Sequence, residues 1–108
     1  MSADREAVAS VLARAGHTRA RWSSIQRMHN GNSRKGYSTG FRVKVDPDRQ
    51  VVLVDHMAED VARSEDDVAR RNAWLSRYGE TLQRAGYAVR REPADTFLER
   101  LVVEPALG

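Results

Sequence analysis

The sequence predicts an α+β domain: an antiparallel sheet in the element order α-β-β-β-α-β-β, with two helices packed on one face. Three observations lead there. Phe41, Val43 and Val45 alternate with Arg42 and Lys44 ahead of the β-forming run QVVLVD at 50–55. Val68, Leu75 and Leu82 recur at seven-residue intervals, the mark of a long helix face. Two further β-forming segments follow that helix, and 108 residues suit one domain, 1–108, with a single modest core.

A first helix is predicted from about Ala3 to Ala15. Val8, Val11, Leu12 and Ala15 form its apolar stripe, Ser2 is placed to cap its start, and Gly16 suits a left-handed stop. From Thr18 to Met28 a strand is expected, because Ala20 and Trp22 alternate with Arg19 and Arg21; a bulge or early end falls at Ser23-Ser24. The segment Asn30–Gly36 reads as a mobile polar loop rich in Gly, Asn and Ser, with Arg34 and Lys35 offered to trypsin. In the hairpin that follows, Phe41, Val43 and Val45 are expected to face the core and Arg42 and Lys44 to face out. Asp46-Pro47-Asp48-Arg49 suits a type I turn.

The second helix is announced by Ser64 and Asp67, a variant capping box, and by the acidic run 65–67 on its positive end. Tyr78 and Ala85 fill the face of Val68, Leu75 and Leu82, and Gly86 closes the helix. Gly79 within it costs about 1 kcal/mol relative to alanine, which suggests a close neighbour or a slight bend. Strands are expected at 87–92 and 99–105. The last segment also fits a short helix, since Phe97, Leu98, Leu101 and Val102 suit one helical face, whereas Val102-Val103 favour a strand. LARAGHTRAR from Leu12 and LQRAGYAVRR from Leu82 share only the grammar of helix, glycine stop and strand, so no repeat is inferred.

Several chemistries are excluded. There is no cysteine, hence no disulfide, thiolate nucleophile or cysteine-ligated metal. The longest aliphatic run, Val51–Val54, is far short of the roughly 20 residues that span a bilayer, and Asp4 and Glu6 stand where a secretory signal would be apolar. A cytoplasmic protein that does not enter membranes is the expectation. GNSRKGYS at 31–38 imitates a phosphate loop, but Lys35 precedes Gly36 and Tyr37 takes the lysine position, so the motif fails. His17, His56 and His29 have no metal-ligand spacing, and Asp55 and His56, as strand neighbours, point to opposite faces. No nucleophile elbow or carboxylate pair is present, so neither catalysis nor a cofactor or metal is expected.

The layout of RKGYSTGFRVKVDPDRQVVLVDH between two helices is similar to double-stranded-RNA-binding-like folds, which include small bacterial toxins that cleave messenger RNA. Those toxins place a histidine after the glycine that heads the second strand. Here Tyr37 follows Gly36, and the resemblance implies no nuclease chemistry.

Charge is the remaining signal. Sixteen of the eighteen basic residues are arginine, whose planar fork suits phosphate or carboxylate. Residues 14–49 hold nine basic residues against Asp46 and Asp48, a net +7; residues 55–68 hold six acidic residues against Arg63, a net −5. The expectation is a non-enzymatic protein that binds nucleic acid, DNA or RNA, through a basic β-hairpin face. Arg19, Arg21, Arg27, Arg34, Lys35, Arg42 and Lys44 would meet phosphates, and Tyr37, with Trp22 if exposed, would stack on bases. The alternative is a protein–protein module, an inhibitor or adaptor, using the acidic 55–67 region and the sheet face, as monomer or homodimer.

Overall fold

The computed structural model describes residues 4–27, 33–57, 65–94 and 98–105, with side chains for all of these except 22–27 and 33–37. The fold is α+β. Helix α1 (Arg5–Arg14) is capped by Asp4, whose carboxylate accepts the Glu6 N–H at 2.8 Å. Asp4 therefore takes the cap expected of Ser2, which lies outside the described residues. Val8, Ala9 and Leu12 are buried, whereas Ala15 is exposed beyond the last turn. Gly16 adopts a φ of +93°, the left-handed stop that its sequence position predicts.

The chain then runs briefly beside the strand that will follow much later in sequence. Phe41 N–H donates to the Thr18 carbonyl at 2.9 Å and Ala20 N–H to the Phe41 carbonyl at 2.8 Å, making a parallel bridge between Arg19 and Phe41. From this root springs a ribbon of two antiparallel strands, β1 (Trp22–Arg27) and β2 (Ser33–Tyr37), hydrogen-bonded to each other and not to the main sheet. Its register shifts between Ser23 and Gln26, where the sequence places the bulge. The predicted mobile loop Asn30–Gly36 is corrected here: from Ser33 onward it is strand, while residues 30–32 lie outside the described residues. The sequence SRKGY contains no apolar alternation, so periodicity could not reveal this strand.

Strands β3 (Gly40–Asp46) and β4 (Val51–Met57) form the predicted hairpin, with Arg42 opposite Asp55 and Val43 opposite Val54. The turn is one residue longer than Asp46–Arg49: Gln50 N–H donates to the Asp46 carbonyl at 2.8 Å, and Gln50 takes a φ of +54°. Asp46 Oδ1 accepts the Asp48 and Arg49 N–H groups and braces the turn. Phe41 and Val43 are buried as expected. Val45 is 49% exposed, because it sits on an edge strand one residue from the turn, where the helix layer no longer reaches.

Helix α2 (Glu65–Arg84) carries Glu65, Asp66 and Asp67 in its first turn, on the positive end of the dipole; Ser64 lies outside the described residues. Leu75, Tyr78 and Leu82 are buried, Val68 is half-buried, and Ala85 is exposed past the helix end rather than in the core. Strands β5 (Tyr87–Pro93) and β6 (Glu99–Pro105) complete the antiparallel sheet in the order β3-β4-β6-β5. The final segment is thus a strand and not a helix. The observed order is α-β-β-β-β-α-β-β, one strand more than predicted, the extra strand being β2 in the ribbon.

Both helices pack on one sheet face, where Val8, Leu12, Phe41, Val54, Leu75, Tyr78, Leu82, Leu101 and Val103 form the core. The opposite face holds a smaller apolar stripe, Val51, Leu53 and Val102, along the two central strands. Central β4 and β6 must be apolar on both sides, which is why QVVLVD and RLVVE read as continuous hydrophobic runs.

Two glycines make opposite predictions. A Cβ on Gly79 would meet Val89 Cγ1 at 3.7 Å and Leu101 Cδ1 at 3.9 Å, ordinary contacts, so Gly79→Ala should stabilise the protein by up to about 1 kcal/mol. A Cβ on Gly40, at φ +152°, would lie 2.4 Å from the Thr18 carbonyl oxygen and 2.7 Å from the Ala20 nitrogen, so Gly40→Ala should destabilise by more than Gly79→Ala gains. Thermal melts of the two variants check both signs. Leu75→Ala or Leu82→Ala, each removing a fully buried side chain, should cost roughly 2–5 kcal/mol in urea titrations.

Candidate nucleic-acid interface

Arginines and lysines attract polyanions only if nearer carboxylates do not neutralise them first. In the body of the domain most are so engaged. Arg19 faces Glu6 with Nη2–Oε1 at 3.3 Å. Arg42 forms a bidentate pair with its cross-strand neighbour Asp55, Nε–Oδ1 3.0 Å and Nη2–Oδ2 2.5 Å, both side chains about one-fifth exposed. Arg49 bridges Asp46 and Glu92, and Arg100 donates to the same Glu92 at 2.7 Å. The hydrogen bonds from Arg49, reinforced by those from Arg100, hold the Glu92 carboxyl down at about 2. Arg90 pairs with Glu104 and Arg91 with Glu99 at longer range.

The ribbon differs. No Asp or Glu occurs between Glu6 and Asp46, so the strands β1 and β2 contain Arg27, Arg34 and Lys35 and no carboxylate. Their register sets Gln26 opposite Arg34, Arg27 opposite Ser33 and Trp22 opposite Tyr37. Arg21, exposed at the root, exchanges backbone and hydroxyl bonds with Ser38 and makes no ion pair among the described residues. The molecule extends 53 Å along its long axis against 29 and 28 Å across. Its radius of gyration, 14.6 Å, exceeds the about 13 Å of a compact domain of this length.

The eight predicted contact residues therefore separate into three groups. Arg21, Arg27, Arg34, Lys35 and Tyr37 belong to the ribbon and its root, the last four with side chains outside those described. Lys44 is exposed on the open sheet face; Arg42 stands on that face too, but is held by Asp55. Arg19 is tied to α1 through Glu6. The residues of the expected 19-to-44 face are thus distributed between the ribbon with its root, the open face of the sheet, and α1. Of the acidic segment, Asp55 is consumed by Arg42, Glu65 and Asp66 are exposed at the head of α2, and Glu59 and Asp60 lie outside the described residues.

A pocket of about 280 Å³ opens beside the ribbon root, between the exposed rim residues Thr18 and Thr39. His17, His56, Trp74 and Tyr78 line it. Asp55 and His56 do point to opposite faces, as alternation requires: His56 is buried under α2, its ring stacked on Trp74 at 5.4 Å, with Nδ1 2.7 Å from the Tyr78 hydroxyl. Burial, with Arg71 adding to it, lowers the His56 pKa to about 4, and burial raises that of Tyr78. A neutral imidazole accepting the phenolic proton satisfies both groups. His17 sits edge-on to Tyr78 at 5.0 Å, with Nε2 2.9 Å from Thr81 Oγ1. Nothing in the spacing 17, 56, 74 and 78 announces this convergence; only Trp74 and Tyr78, one turn apart, share a visible helix face.

The buried histidine has a pH signature. The unfolded chain takes up a proton near the ordinary value of 6.5, the folded one only near 4, so His56 favours folding above 6.5 and loses that contribution as pH falls toward 4. His17, also lowered, by burial and then by Arg77, acts in the same direction. The urea midpoint should fall between pH 6.5 and 4, and that of His56→Gln should fall less over the same interval.

Comparison with known proteins gives no match: no family model, no curated relative and no solved structure aligns with this chain.

Proposed function

We propose that this protein binds nucleic acid through the β1–β2 ribbon, contacting the phosphate backbone without catalysing a reaction. The observation that carries the reading is a matter of placement: positive charge without any carboxylate of its own is concentrated on a two-stranded element that, among the described residues, forms a sheet separate from the four-stranded one. Such a ribbon fits the major groove of a duplex, and it can equally track a single strand. Arg27, Arg34 and Lys35 are the principal phosphate ligands, Arg21 and Lys44 extend the positive field, and Tyr37 and Trp22 offer rings for stacking. Arg42 contributes little, because a phosphate would first have to displace Asp55.

The test is a salt-titrated binding assay against duplex DNA, single-stranded DNA and RNA. The triple reversal Arg27→Glu, Arg34→Glu, Lys35→Glu should weaken binding at least about tenfold for all sequences alike. It should also flatten the salt dependence by about one counterion for each phosphate partner removed. Arg42→Ala should leave affinity nearly unchanged while lowering stability. Undetectable binding of the unaltered protein at about 50 mM salt would reject this function, and the exposed Glu65 and Asp66 would then direct the search to a basic protein partner.

A further inference from the structure

The pocket at the ribbon root is built for a ring with an anionic attachment, and we propose that it receives one nucleotide of a single strand, the base inside and the phosphate outside. This rests on the ribbon reading for the origin of the strand, but the pocket itself is argued from its own walls. Trp74, Tyr78, His17 and His56 give it aromatic sides, as in sites that accept unstacked bases. Its volume, about 280 Å³, lies just below the range typical of pockets for whole drug-sized ligands, so it suits one ring system.

The polar groups specify the ligand further. Thr81 Oγ1 donates its single proton to the Arg77 carbonyl at 3.1 Å, so toward His17 it can only accept. His17 must then carry its proton on Nε2, and its neutral ring keeps a lone pair on Nδ1. An acceptor there suits the amino or imino N–H that every nucleobase carries. Beside the aromatic wall, the Arg77 guanidinium lies 4.7 Å from the Trp74 ring centroid, exposed and without an ion pair among the described residues. Burial first, and then the charge of this nearby guanidinium, disfavour a proton on the His17 ring. Arg77 thus neighbours two of the lining residues, and the exposed Arg21 is hydrogen-bonded to Ser38, next in the chain to the lining residue Thr39, so two cations stand near the pocket to receive a phosphate.

The chain has two tryptophans, so Trp22→Phe makes Trp74 the sole indole reporter. In that background, anisotropy with labelled dodecamers measures strand binding and Trp74 fluorescence reports the pocket. A single-stranded oligonucleotide should quench Trp74 saturably and bind at least about fivefold tighter than an abasic strand of equal charge. Thr39→Phe, which crowds the exposed rim, should abolish the Trp74 quenching, reduce that difference to what ribbon stacking alone supplies, and leave abasic binding intact. Equal binding of both strands with Trp74 unmoved overturns the pocket and leaves the ribbon function standing. If neither strand binds, titration with uridine and adenosine monophosphates to about 10 mM decides the pocket alone: saturable Trp74 quenching, weakened by Arg77→Gln, supports it, and no response overturns it.

Discussion

The close backbone approach at Gly40 is the constraint on which the rest of the molecule depends. There the chain must leave the ribbon, pass under the Thr18 carbonyl and enter the core as Phe41 within a single residue. No side chain fits, because the atoms in the way are backbone atoms that cannot yield. The gain is a junction that binds the start of β3 to the end of the α1 segment and gives the ribbon a fixed origin. A two-stranded hairpin is marginally stable in isolation, so its order is supplied by this root. Thr18 and Gly40 also line the aromatic pocket, so the ribbon root and the pocket are built from one stretch of chain.

The body of the fold was legible because burial writes a period into sequence. Leu75, Tyr78 and Leu82 repeat as a helix requires, Phe41 and Val43 alternate as a strand requires, and each is buried. What could not be read obeys other rules. Strand β2 is held by backbone hydrogen bonds and presents SRKGY, in which no apolar alternation exists. Val45 obeys the alternation yet escapes burial, since period sets the face and not the extent of the layer above it. The pocket was invisible for a third reason: His17 and Trp74 are brought together only by tertiary packing.

The charge pattern carries a similar lesson. Counting along the chain separates a basic segment from an acidic one, whereas the fold pairs Arg42 of the first with Asp55 of the second and neutralises Arg49 with Glu92 from outside both. Linear segregation thus overstates the basic face of the sheet. It understates the ribbon, whose excess is diluted in the count by Asp46 and Asp48, residues that serve the hairpin turn instead.

The Arg49–Glu92 bridge has a kinetic meaning. It links the β3–β4 turn to β5 across 43 residues of sequence, and between them in the sheet lies β6, which follows both in the chain. Because β5 joins the sheet only through β6, the bridge is expected to close late in assembly. An interaction absent from the transition state leaves the folding rate alone and slows unfolding. Worth little as a partly exposed ion pair at equilibrium, a late-forming bridge of this kind would act as a latch, prolonging the lifetime of the closed sheet more than it speeds its formation.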